Sequence, residues 1–180
     1  MLQIKIPAQE FYNPKTEEFE DTKEIVLTLE HSLVSLSKWE SKWCKPFLSK
    51  EAKTQEETID YIKCMTLTQN VPPETYNRLT NENLSEIKQY IEDPHTATFI
   101  NENPNGPKSH EVITSELIYY WMTALNIPWE SQKWHLNRLL MLIRVCNLKN
   151  QPKKKMSQRE LMSRNAALNA ARRQKLHSKG

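Results

Sequence analysis

The residues that could bind a metal are few in this 180-residue chain, and their spacing is unfavourable. A zinc site usually takes two of its ligands from cysteines or histidines only a few positions apart. The five histidines are dispersed, and no two of them stand at such a spacing with each other or with a cysteine: His31, His95, His110, His135 and His177. We therefore expect no metal site.

Thiol chemistry is the next candidate, because a cysteine beside a histidine base can act as a nucleophile. Cys44 or Cys146 could pair with His135 in this way. However, Cys146 falls on the apolar stripe of a helical pattern and Cys64 adjoins Met65. Cysteines at such positions behave as small hydrophobic residues. We expect all three cysteines to be core residues.

Carboxylate and nucleotide chemistry are equally poorly supported. Asp21, Asp60 and Asp93 do not pair with another acid at a spacing typical of a metal or glycosidase site. The two glycines are Gly106 and Gly180, whereas phosphate-binding loops and dinucleotide motifs require internal glycines. We expect a protein that is not an enzyme and binds no cofactor.

Charge is divided unevenly along the chain. The net charge of +3 combines nine basic residues and one acid from position 153 onward with 16 basic and 21 acidic residues before it. The last segment therefore carries +8, and the rest carries −5. This segment supplies the candidate partner-binding residues: Lys153, Lys154, Lys155, Arg159, Leu161, Arg164, Leu168, Arg172, Arg173 and Lys175.

Three interpretations of the basic segment are open. It could bind nucleic acid, with a salt dependence set by the number of phosphates it neutralises. It could be a solvated basic helix that keeps the protein in solution. It could dock onto an acidic or helical protein partner, with Leu161 and Leu168 as apolar anchors. We favour the last interpretation.

The five tryptophans could act as stacking platforms for single-stranded nucleic acid. Four of them fall on or next to apolar stripes, and few basic residues stand among them, so we expect core packing: Trp39, Trp43, Trp121, Trp129 and Trp134. The odd cysteine count, the lack of a basic-then-apolar leader and the lack of a long apolar run predict a cytoplasmic protein with reduced thiols and no membrane contact.

Periodicity predicts strands first and helices afterwards. Apolar residues alternate over positions 2–6 and 25–29, and Asn13-Pro14-Lys15-Thr16 is a plausible turn between them. From Ser32 a helical stripe runs until Pro46, made of Leu33, Leu36, Trp39 and Trp43. The capping box of Thr54 and Glu57 begins the next helix, whose stripe is Ile59, Ile62, Met65 and Gln69.

Further helices follow in the second half of the chain. A short helix that ends before Pro94 is marked by Leu84, Ile87 and Ile91. Residues 93–111 predict a loop or a small hairpin with a turn at Asn105-Gly106. The strongest helical pair is expected to be an antiparallel hairpin with a break at Ile127-Pro128; its stripes are Ile113, Leu117, Trp121 and Leu125, then Leu136, Leu139, Leu140, Ile143 and Cys146.

These patterns predict a mainly α protein with a small N-terminal β-hairpin, a helical bundle and a basic C-terminal helix. We place the hairpin at residues 1–31, packed on a mainly helical body at 32–150, and the basic linker and helix at 151–180. Ser157 and Glu160 repeat the capping-box pattern. The helix over 157–176 has few residues to bury, so we expect a partner to order it.

Several runs together resemble small proteins encoded in the tail-morphogenesis region of long-tailed bacteriophages and their prophages, the tail assembly chaperones. The similarity covers nearly the whole chain. It rests on the opening hairpin and on WESKWCKPF (39–47), DYIKCMTLTQNV (60–71), YIEDPHTATFI (90–100), IPWESQKWHLNRLLMLIRVCNLKN (127–150) and KKKMSQRELMSRNAALNAARRQK (153–175).

The resemblance implies a non-enzymatic protein of the host bacterial cytoplasm. Such a protein would bind the helical tape-measure protein and help tail-tube subunits assemble around it, without remaining in the virion. Two alternatives stay open. One is a virion or head–tail junction protein whose basic tail contacts DNA. The other, less favoured, is a regulator with a helix-turn-helix in residues 113–148.

Overall fold

The computed structural model describes residues 1–13, 18–100, 111–150 and 157–176. The chain divides into two compact units, Met1–Asn147 and Leu148–Gly180.

The fold is mainly α. The strands are β1 (Leu2–Ile6), β2 (Gln9–Asn13), β3 (Glu18–Thr22) and β4 (Ile25–Leu29); the helices are α1 (Leu33–Trp43), α2 (Gln55–Met65), α3 (Asn81–Glu92), α4 (Ser115–Ala124), α5 (Leu136–Asn150) and α6 (Gln158–Leu176), with 3-10 helices at Pro73–Arg78 and Trp129–Lys133.

The predicted N-terminal hairpin is confirmed. Strands β1 and β4 pair antiparallel, with Leu2 opposite Leu29 and Ile6 opposite Ile25. Beyond Pro7, whose nitrogen cannot donate to a ladder, the hairpin continues as the β2–β3 pair. The predicted turn begins at Asn13, the last residue of β2, and its other residues lie outside the described ranges.

One face of this hairpin packs on helices α1, α2 and α3 to form the first core cluster. Its fully buried members are Ile4, Ile6, Leu27, Leu29, Trp39, Tyr61, Ile62, Met65, Tyr76 and Ile87. The edge of β4 is extended by the segment after α2, because the Glu30 amide donates to the Met65 carbonyl at 2.9 Å and the Leu67 amide donates to the Thr28 carbonyl at 2.8 Å. Helix α2 therefore ends at Met65, and the prediction that its stripe reaches Gln69 is wrong.

A second core cluster joins helices α1, α4 and α5. Its members are Leu33, Leu36, Ile118, Met122, Ile127, Leu136, Leu139 and Ile143. The predicted α5 stripe is confirmed at Leu136, Leu139 and Ile143, while Cys146 is half-buried. On α4 the fully buried face is Ser115, Ile118 and Met122. The predicted stripe of Ile113, Leu117, Trp121 and Leu125 is only half-buried.

The predicted two-residue break between the last two body helices is wrong. Pro128 precedes a 3-10 helix, Trp129–Lys133, and α5 begins only at Leu136, whose amide donates to the His31 carbonyl at 2.7 Å. Proline fixes its own φ and removes one amide donor, which suits the entry to this short turn. The tight connection required by the helix-turn-helix alternative is therefore not formed.

Glu40 is a buried carboxylate that joins the α1–α2 link to the start of α4. Its side chain accepts from the Phe47 amide at 2.8 Å and from the Ser115 amide at 2.7 Å. Ser115 is the first residue of α4, so the carboxylate lies at the positive end of the helix dipole. This one side chain satisfies the buried Ser115 amide and the half-buried Phe47 amide, which belong to different segments.

Within the described ranges, four residues other than glycine have a positive φ. They are Cys44 at 51°, Asn70 at 56°, His95 at 46° and Asn126 at 51°. Glycine usually occupies such left-handed positions because it has no Cβ, but neither glycine of this chain lies in the described ranges. Cys44 is the C-cap of α1 and is exposed, so the prediction that it is a core cysteine is wrong.

None of the helices in the described ranges combines the length and the apolar character that a membrane span requires. The described part of the 93–111 segment, residues 93–100 and 111, contains no strand. The expected turn at Asn105-Gly106 lies outside the described residues.

Candidate interaction surfaces

Three histidines that are dispersed in the sequence come together in the fold. The ring centroids of His31 and His135 are 5.1 Å apart, and those of His95 and His135 are 4.0 Å apart. Tyr90 lies edge-on to His135 with its centroid at 5.0 Å. Histidines that are far apart in the sequence are therefore close together in the fold. Within the described ranges, however, no group of three histidine, cysteine, aspartate or glutamate residues could hold a metal ion.

The hydrogen bonds of His135 favour a neutral ring. His31 Nδ1 is 2.5 Å from the Tyr61 hydroxyl. His135 Nε2 is 3.1 Å from the Tyr90 carbonyl, and its Nδ1 accepts from the Asn137 amide at 3.3 Å. An Nδ1 that accepts carries no proton, so His135 is neutral with its proton on Nε2. The cluster links α5 to the end of α3.

Burial sets the protonation of His31, His135 and Tyr61. It lowers the pKa of His31 to about 3, with smaller contributions from His135 and His95. Burial also lowers the pKa of His135, and His95 adds to that shift. The pKa of Tyr61 is raised, again because burial disfavours its charged form. These groups are neutral at pH 7, which suits internal packing.

Two other residues considered for chemistry, Cys64 and Asp60, are also held in structural roles. Burial raises the pKa of the Cys64 thiol, which reduces its reactivity as a nucleophile. The Asp60 carboxylate accepts from the Trp43 indole at 2.9 Å and from the Lys42 ammonium. Although burial acts in the opposite direction, these two donors keep the pKa of Asp60 below its ordinary value.

The predicted partner-binding residues divide into two groups. Lys153, Lys154 and Lys155 lie outside the described residues. The others lie on α6, whose predicted capping box is confirmed: the Ser157 amide donates to Glu160 at 2.8 Å, and the Glu160 amide donates to the Ser157 hydroxyl at 3.2 Å. The seven described members are all exposed: Arg159, Leu161, Arg164, Leu168, Arg172, Arg173 and Lys175.

Most of these seven side chains share one face of α6. At about 100° per residue, Leu161, Arg164, Leu168, Arg172 and Lys175 fall within an arc of about 80°. The exposed fractions of Leu161 and Leu168 are 45% and 47%. We call these five residues the basic-leucine face. On the same helical wheel, Arg159 and Arg173 lie about 160° and 120° from Leu161.

Glu160, the acid in the first turn of α6, forms part of the capping box of this helix. Hydrogen bonds from the Ser157 amide and hydroxyl lower the pKa of Glu160, which keeps it ionised. An ionised acid in the first turn and basic residues in the last turn both complement the helix dipole. The capping box and these charges therefore stabilise the helix that carries the basic-leucine face, although no residue of α6 is buried.

A second exposed surface lies on the body, around the Trp129–Lys133 helix. Trp129 is 55% exposed, and its ring centroid is 5.7 Å from that of Tyr119. Trp134 is 37% exposed, and the Arg138 guanidinium lies 4.4 Å from its ring centroid. Exposed tryptophan, tyrosine and arginine are the residues most enriched among binding hot spots.

The prediction that the tryptophans are core residues is therefore only partly correct. Trp39 is buried, Trp43 and Trp121 are half-buried, and Trp129 and Trp134 are exposed. A signal for the exposed pair is present in the sequence. Four polar residues, 130–133, separate the two tryptophans, and neither tryptophan has an apolar residue three or four positions after it.

Comparison of the chain with protein-family models, with curated proteins and with solved structures finds no match. The exposed surfaces of the body and of α6 therefore carry the functional inference, together with the runs of sequence given above.

Proposed function

We propose that this protein is a non-enzymatic chaperone of phage tail assembly that binds the tape-measure protein in the host bacterial cytoplasm. The resemblance of its sequence runs to that group motivates the proposal. The observation that carries it is the basic-leucine face, an exposed row of two leucines and three basic residues on one side of α6.

This face suits a helical protein partner. Leu161 and Leu168 are seven positions apart, or about two turns, so they can pack along the apolar stripe of a second helix. The adjacent bases Arg164 and Arg172 would pair with acids beside that stripe. Because isolated helices with little to bury are marginal in water, a bound partner would also stabilise α6.

The exposed aromatic surface of the body offers the same partner, or tail-tube subunits, a second contact. Trp129 and Trp134 each expose a large ring that water solvates poorly. A chaperone for an aggregation-prone helix needs such exposed apolar area. Two separate contacts on one chain would raise the overall affinity through effective concentration.

Co-expression with the tape-measure protein encoded next to this chain tests the proposal. The wild-type chain should increase the soluble fraction of that protein. Arg164→Glu with Arg172→Glu should abolish the increase, whereas Arg159→Glu with Arg173→Glu, an equal change of charge on the opposite side of α6, should preserve it. A tape-measure protein that is equally insoluble with and without this chain would refute the proposal.

A DNA-contacting virion protein is the alternative, and the basic residues of α6 favour it. A gel shift at low salt that disappears at high salt, with both charge-reversed variants equally impaired, would indicate phosphate contacts. Mass spectrometry of purified virions provides a second distinction. A chaperone should be absent from virions, and a head–tail junction protein should be present.

A further inference from the structure

An open groove lies between α2 and α3. Its apolar end has a volume of about 270 Å³, and Phe47 from the α1–α2 link is one of its lining residues. A second cavity of about 460 Å³ adjoins it and shares Lys53, Thr58 and Leu84 with it. Together they form one continuous depression along both helices, within the Met1–Asn147 unit.

The apolar end is built by aromatic and aliphatic side chains. Phe47 and Tyr61 stack with their centroids 3.8 Å apart and an angle of 25° between the rings. On the other wall, Leu84, Ile87 and Ile91 follow the i, i+3, i+7 spacing of one helical face. The row from Leu84 to Ile91 is about 10 Å long at 1.5 Å per residue, which is two turns of a helix laid alongside it.

The charges at the groove are both positive. Lys53 and Lys88 are the charged residues among its lining groups. The Lys53 ammonium lies 4.6 Å from the centroid of Phe47. In the described part of the chain, neither lysine lies within ion-pair distance of a carboxylate, whereas nearby Lys42 and Lys45 are bound to Asp60 and Glu57.

We propose that this groove binds an amphipathic helix of a partner protein, with apolar anchors on one face and carboxylates on both sides of it. The anchors would contact the Phe47–Tyr61 stack and the α3 row, and the carboxylates would pair with Lys53 and Lys88. The apolar end of the groove has a volume of about 270 Å³. Its size suits a few side chains from a docked helix, the helix-in-groove mode of recognition.

The groove lies on the body, and its residues are not those of α6. The inference therefore does not depend on the tail-assembly proposal. A partner that contacts only the basic-leucine face would leave the groove empty, and a helix that docks in the groove needs no contact with α6.

Two synthetic helical peptides test the inference on the full-length protein. The acidic probe carries leucines at i, i+3 and i+7 with glutamates beside them, and the basic probe replaces each glutamate with lysine. Binding is measured by fluorescence anisotropy, and methyl NMR shifts of Leu84 and Ile91 locate the site. Lys53→Glu with Lys88→Glu is the test variant, and Lys5→Glu with Lys23→Glu is the control, with the same charge change at exposed positions outside the groove.

The acidic probe should shift the methyl signals of Leu84 and Ile91, and its affinity should fall at least about tenfold in the test variant and stay within about twofold in the control. Equal binding of the basic probe, or equal loss in both variants, would contradict the charge complementarity. Methyl shifts caused by decanoate but not by the acidic probe would assign the groove to a small anionic amphiphile instead. Absence of any methyl shift with the acidic probe would overturn the proposal.

Discussion

Lowering the pH from 7 to 5 should destabilise this protein through His31. In the folded chain the pKa of His31 is about 3, whereas its ordinary value is 6.5. Between these two values the unfolded chain binds a proton that the folded chain does not bind. The contribution to stability is therefore fully present above pH 6.5 and is lost as the pH falls towards 3.

The magnitude follows from this difference. Each pH unit below the unfolded pKa costs about 1.4 kcal/mol, so His31 alone should remove about 2 kcal/mol from the free energy of unfolding between pH 7 and pH 5. His135 acts in the same direction, because burial also lowers its pKa. The carboxylates with lowered pKa values, Glu57 and Asp60, have ordinary values of 4.5 and 3.8, so most of their effect lies below pH 5.

Urea unfolding followed by tryptophan fluorescence at the two pH values measures this loss. In His31→Asn, an amide can keep the hydrogen bond to the Tyr61 hydroxyl but does not titrate, so the loss between pH 7 and pH 5 should shrink by about 2 kcal/mol. Tyr61→Phe is the control. It removes the hydrogen bond and leaves His31 buried, so the pH-dependent loss should remain. An equal loss in His31→Asn and in wild type would refute the reasoning.

Three other substitutions test single contacts. Glu40→Ala leaves the buried Ser115 amide and the half-buried Phe47 amide without this acceptor and should lower the free energy of unfolding by about 2–4 kcal/mol in urea titrations; an unchanged midpoint would mean that water replaces the carboxylate. Trp39→Phe removes the indole donor to the Glu57 carbonyl, 2.9 Å away, and should cost about 1–3 kcal/mol by the same assay. Ser157→Ala removes the α6 cap and should cost that helix about 1 kcal/mol, seen as reduced helical NMR shifts over 158–176; full helicity without the cap would contradict its role.

Local signals were sufficient to predict several elements of this fold, although not β2, β3 or the two 3-10 helices. Alternation over positions 2–6 and 25–29 predicts β1 and β4, and the boxes at Thr54 and Ser157 predict the starts of α2 and α6. These signals act within about four residues of the chain, so they do not depend on what packs elsewhere. The prediction of a mainly α fold with an N-terminal hairpin and a basic terminal helix is accordingly confirmed.

Features that depend on distant contacts could not be predicted in this way. Helix α2 ends where the following segment pairs with β4. No local feature of the sequence indicates this end, so the predicted stripe extended too far, to Gln69. The ring contact between His95 and His135 joins residues 40 positions apart. The groove likewise depends on the gap between α2 and α3, which the sequence does not indicate. The row of Leu84, Ile87 and Ile91 on α3 was predicted from its helical spacing.

The candidate surfaces were only partly visible from the sequence. The charge division identified α6, and helical geometry then separates the basic-leucine face from Arg159 and Arg173. The exposure of Trp129 was not predicted, because a tryptophan in a sequence rich in apolar stripes is usually buried. Its position beside Pro128, in a short 3-10 helix without an apolar repeat, is the reason that it is exposed.

Position 95 must meet two separate demands, which narrows the amino acids that can replace its histidine. The backbone there is left-handed, with φ of 46°, and the side chain must present a flat ring 4.0 Å from that of His135. Glycine or asparagine would satisfy the backbone but would remove the ring. Phenylalanine or tyrosine would keep the ring at a higher conformational cost, because histidine is among the few non-glycine residues enriched in this region. The backbone conformation and the ring contact together therefore limit which residues can occupy this position, even though it is exposed.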